Sequence, residues 1–99
     1  MSVLRRSEAL EILGRHKAEF AERYGITSLG VFGSVARDEA GEESDVDVVY
    51  ETTTPNLFRT VRMKRELETI LCRRVDVVRW RERINPRLKA RIAREAVYV

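Results

Sequence analysis

Ninety-nine residues suffice for one hydrophobic core but not for a second substrate-binding lobe, so we expect a single domain over residues 1–99. Hydrophobic residues at 43% and charged residues at 35% exclude a disordered chain, and no run is long and apolar enough for a secretion signal or a bilayer span. The net charge of +3 hides a polarity, because residues 1–58 carry −5 and residues 59–99 carry +8. That basic half suits nucleotide phosphates, nucleic acid or an acidic partner, and equally describes solvated arginine-rich helices. No basic block is unbroken and no aromatics interleave as a base-stacking platform requires, so nucleic-acid binding is not indicated. The one cysteine, Cys72, cannot form an internal disulfide and fits a reducing cytoplasm.

In chain order, Ser7 reads as the N-cap of a helix, with Glu8 and Glu11 complementing its dipole. Leu10, Leu13, Lys17, Phe20 and Tyr24 recur at steps of three and four, and Gly25 ends the helix. His16 has no histidine or cysteine at ligand spacing and reads as a surface or boundary residue. Residues 27–32 form a strand that delivers the chain to Gly33, followed by a helical stub over 34–38 and a polar loop over 39–44. Residues 45–51 make a second strand. Thr54-Pro55 opens a long helix with apolar positions Leu57, Phe58, Val61, Leu67 and Leu71, and Cys72 near its end reads as a buried structural thiol. Residues 75–79 form a third strand. Asn85-Pro86 begins a last helix with Leu88, Ile92 and Ala96 on one face, and residues 97–99 return to the sheet. The order predicts an α/β (α+β) domain, a small mixed sheet backed by helices.

On a strand, alternate residues share a face. Asp45 and Asp47 therefore point one way while Val46, Val48 and Tyr50 pack the other way under helices, leaving the carboxylates on an open face. Asp76 repeats the pattern between Val75 and Val77, and if the two strands are adjacent three carboxylates converge. Like charges about 4 Å apart repel by roughly 4 kcal/mol at an effective dielectric near 20, so such a cluster calls for a cation. Hard oxygen ligands favour magnesium or manganese over zinc. Alternating aspartates are also common on half-exposed strands, and Gly33-Ser34 alone could be a tight turn with a helix cap. Together they say more. A glycine ending a strand lets backbone N–H groups approach phosphate oxygens, and the Ser34 hydroxyl can donate to an outer phosphate.

With Gly33 and Ser34, ten intervening residues, then Asp45 and Asp47 and a later Asp76, the chain resembles the minimal nucleotidyltransferases of the DNA polymerase β-like superfamily. LGVFGSVAR at 29–37, Glu39, Ser44 and INPRLKARIAREAVYV at 84–99 extend the resemblance over nearly the whole chain; Asp38 departs from it, since the group often has glycine there. The resemblance implies a polymerase β-like nucleotidyltransferase fold and metal-dependent transfer of a nucleoside monophosphate. Asp45 and Asp47 would hold two Mg2+ ions on the triphosphate of ATP, with Asp76 sharing one metal and helping to deprotonate the attacking hydroxyl. Gly33 and Ser34 would position the outer phosphates. Arg37 either contacts phosphate or braces the loop through Glu39 or Asp38, and Glu42 and Glu43 read as solvated loop residues. Proteins that look like this one are often encoded beside a helical HEPN ribonuclease toxin and act as its antitoxin, some by attaching AMP to a toxin tyrosine, which implies a hetero-oligomer. The other readings are a non-catalytic module that inhibits its partner by occlusion, and transfer to a small molecule.

Overall fold

Each of the three apolar runs pairs with a neighbour through backbone hydrogen bonds, and helices cover both faces of the sheet that results. The computed structural model describes residues 3–99. Met1 and Ser2, where the reading of the N-terminus as leader-free begins, lie outside the described residues. The elements are α1 (Arg6–Tyr24), β1 (Ile26–Phe32), α2 (Gly33–Ala36), β2 (Val46–Thr52), α3 (Leu57–Leu71), β3 (Val75–Arg79), α4 (Pro86–Glu95) and β4 (Val97–Tyr98). The sheet order is β3-β2-β1-β4. β1 runs antiparallel to β2 and β4, whereas β2 and β3 are parallel. A parallel pair needs a long crossover, and α3 supplies it. The mixed sheet expected from the sequence is therefore present.

Val46, Val48 and Tyr50 pack with Leu13 and Phe20 of α1 and Met63, Leu67 and Leu71 of α3 in the larger core. The opposite face is not open, as the sequence reading had it. Phe32, Val49 and Ile92 form a second, smaller core there with Val78, Trp80, Ile84, Leu88 and Ala96 packed against it. No helix among the described residues is long and apolar enough to cross a membrane.

Three local expectations are corrected. The first helix begins before Ser7, with Arg5 as N-cap, because two exposed amides find carboxylates. Arg5 N donates to Glu8 Oε1 at 3.2 Å and Arg6 N to Asp38 Oδ1 at 2.9 Å. The helix α3 begins after Asn56, whose side chain accepts from Arg59 N at 3.1 Å, rather than at Pro55. The order of the two residues decides this: in Asn85-Pro86 the asparagine caps and the proline takes the first helical position, but in Pro55-Asn56 the cap follows the proline. Leu57, Phe58 and Val61 accordingly face solvent, and Met63 replaces them in the core. Cys72 is exposed rather than buried, because it is the C-cap of α3 and turns away from the core with φ 54°.

Candidate active site

The site is set by a register. Asp47 on β2 lies directly opposite Asp76 on the parallel strand β3 and opposite Phe32 on β1. Laterally paired residues share a face of a sheet, so Asp47 and Asp76 point the same way, on the face that α4 packs against. Asp45 precedes β2 by one residue, and the bond from Val46 N to Arg74 O at 2.9 Å ties that approach to the start of β3.

The turn after β1 completes the arrangement. Gly33 is buried, with φ +76°, and a Cβ built on it would fall 2.1 Å from Asp47 Oδ2 and 3.1 Å from Arg91 Nη2. Only glycine leaves room for the carboxylate and the guanidinium to lie over that turn. Ser34 is half-buried beside it, and its hydroxyl has no hydrogen-bond partner among the described residues. Gly33, Asp47 and Asp76 are therefore brought together, with Asp45 at the margin.

Two of the three aspartates already face arginines that the sequence reading did not single out. Arg91 Nη2 lies 3.7 Å from Asp47 Oδ2, and Arg74 Nε lies 3.6 Å from Asp45 Oδ1. Burial pushes the Asp47 carboxyl above its usual range; the Arg91 guanidinium opposes this, and the negative charges of Asp76, Asp45 and Glu95 add to the push. Gly33 N donates to Glu95 Oε1 at 3.1 Å, and Arg37 Nη1 to the same oxygen at 2.8 Å. Arg37 also reaches Glu39 at 3.4 Å, as the bracing alternative expected, whereas Asp38 pairs with the backbone of α1 instead. Glu42 and Glu43 are exposed in their loop. A signal for the missed residues did exist. Leu88, Arg91, Ile92 and Glu95 stand at i, i+3, i+4 and i+7, so a charge pair occupies the inward stripe of α4.

Among the described residues no three acidic, histidine or cysteine side chains stand close enough together to enclose a metal ion. Asp45 and Asp47 are each turned toward an arginine, and those contacts lie on exposed or half-buried side chains that can rotate. The donor set is all carboxylate oxygen, and burial, with the neighbouring negative charges, raises the proton affinity of Asp47. Both properties fit a hard divalent cation.

A family model described as "Nucleotidyltransferase domain" matches residues 13–99. The protein adenylyltransferase MntA of Thermococcus cleftensis is 38% identical over the full length of both chains. A solved structure assigned provisionally as a minimal nucleotidyltransferase superposes with a TM-score of 0.70 at 38% identity, covering 90% of this chain and 93% of that one. The fold also recurs, at 14% identity and a TM-score of 0.68, in a complex of the tri-AMPylated Shewanella oneidensis HEPN toxin with an MNT antitoxin, covering 94% of this chain and 70% of that one. The chain therefore belongs to the nucleotidyltransferase domain family, with the minimal nucleotidyltransferases among its relatives.

Proposed function

We propose that this chain transfers AMP from ATP to a tyrosine hydroxyl of a HEPN ribonuclease toxin and thereby acts as its antitoxin. The observation that carries the reading is the register of Asp47 with Asp76 against a Gly33 that has no space for a side chain. The adenylyltransferase activity named for the Thermococcus relative and the AMPylated toxin in the Shewanella complex support the choice of donor and acceptor.

Asp45, Asp47 and Asp76 are the residues to hold Mg2+. Two such ions, when bound, stabilise the entering and leaving oxygens of an in-line displacement. The chain's own groups do the rest. The Gly33 turn and the Ser34 hydroxyl receive the outer phosphates, and Arg37 lies within reach of the same turn. Asp76, exposed at the edge of the pair, accepts the proton of the attacking hydroxyl. The tyrosine oxygen bonds to the α-phosphorus as the bond to the β-phosphate oxygen breaks, and pyrophosphate leaves.

The test is intact-mass analysis of the toxin after incubation with this chain, ATP and Mg2+. An increase by one or more AMP units is expected, with none when Asp45→Asn and Asp47→Asn are combined. A second reading, inhibition by occlusion alone, is favoured by the apolar surface of Leu57, Phe58 and Val61. It predicts that the double variant still neutralises the toxin.

A further inference from the structure

Three donors converge on one carboxylate oxygen. Glu95 Oε1 accepts from Gly33 N at 3.1 Å and from Arg37 Nη1 at 2.8 Å, and lies 3.6 Å from Arg91 Nε. An amide and two guanidinium groups around a single anionic oxygen are also the means by which proteins hold phosphate oxygens. The carboxylate is the covered member of the group, its side chain 15% exposed, whereas Arg37 and Arg91 are 39% and 43% exposed. Arg91 is held independently of both carboxylates by the Phe32 ring, 5.5 Å below it. It therefore stays in place when Glu95 leaves. Departure requires no unwinding, because Glu95 is the last residue of α4 and Ala96 is already extended with ψ 135°.

We infer that Glu95 is an internal competitor for the phosphate seat: in the free chain its carboxylate stands in for an outer phosphate of the nucleotide, and Arg37 and Arg91 become phosphate-binding residues once it swings out. The inference rests on the nucleotidyl-transfer reading of the site and adds to it two roles, a phosphate-binding Arg91 and a displaceable Glu95. The free chain is then closed by charges resembling those of its ligand, with Arg91 beside Asp47 where a cation belongs and Glu95 where a phosphate belongs. A purely structural Glu95, tying the end of α4 to the turn, predicts the opposite sign on removal, because the seat it organises would loosen.

Titration calorimetry of the full chain with inorganic tripolyphosphate, without divalent cations, separates the two. Glu95→Gln keeps an amide oxygen for Gly33 N but removes the charge, and its Kd is expected to fall about tenfold, the scale of one charge-assisted hydrogen bond. Adding Arg91→Gln is expected to abolish that gain. Glu82→Gln, which changes the net charge equally at a carboxylate paired with Lys89, is expected to leave Kd within about twofold. An unchanged or higher Kd in Glu95→Gln overturns the inference, as does an equal gain in Glu82→Gln. If Glu95→Gln fails to fold, Glu95→Asp decides, since its shorter arm withdraws the charge and must likewise tighten binding. The readout needs neither AMP transfer nor an acceptor. Tighter binding by a chain that transfers nothing refutes the proposed function alone, and unchanged binding by an active chain refutes the competitor alone.

Discussion

At Gly33 a single hydrogen atom decides whether the site can exist. Any Cβ there must displace the Asp47 carboxyl, and the positive φ adds strain of about 1 kcal/mol for an L side chain. Gly33→Ala is therefore expected to cost about 1–3 kcal/mol in a denaturant titration and to reduce AMP transfer to background. Asp47→Asn separates these two effects. It removes a carboxyl held above its usual range by burial and by three neighbouring negative charges. Transfer should vanish while the thermal midpoint stays the same or rises, as is common when a strained functional charge is removed. Asp38 shows the same economy in the neighbouring loop. It adopts φ 61°, a conformation that aspartate tolerates, and its side chain holds the first amide of α1.

At the scale of elements, α3 carries the clearest gap between pattern and packing. Its C-cap, Cys72, sits in the left-handed region that glycine prefers. Cys72→Gly should raise stability by up to about 1 kcal/mol, read as a higher denaturation midpoint at unchanged slope. The contact of α1 with α3 sets a pH limit. Burial, and then the hydrogen bond donated to Glu66, push the Tyr24 hydroxyl from 10.0 up to about 12. The folded state holds this proton more tightly than the unfolded state. The contribution is intact below pH 10 and is lost as pH rises from about 10 to 12. Across that window the wild type should lose of order 2 kcal/mol more than Tyr24→Phe, measured by chemical denaturation at each pH.

At the scale of the whole molecule, two unequal cores hold the sheet and divide its surface. The first turn of α3 offers Leu57 and Phe58, 76% and 80% exposed, with Val61 beside them. Removing one of these should not disturb the fold. Phe58→Ser is expected to change stability by less than about 0.5 kcal/mol and, under the occlusion reading proposed above, to weaken pull-down of the proposed toxin partner. Strand identities and the spaced Gly33-Ser34, Asp45, Asp47 and Asp76 were legible because a period of two and the freedom of glycine are local properties of the chain. The inner face of α3 was not. Leu57, Phe58 and Val61 match a helical stripe as well as Met63 does, and only the position of the sheet chooses between them.

The chain by itself determined which residues could carry the chemistry, since turn, strand and carboxylate spacing depend on neighbours a few positions apart. Tertiary structure alone decided that Asp47 faces Asp76, because that requires the α3 crossover to bring β3 beside β2 in one register. It also decided that Glu95 would meet Gly33 across 62 residues. Charges paired through space leave no period in a sequence; they become visible only when the backbone places them within a few ångströms of each other.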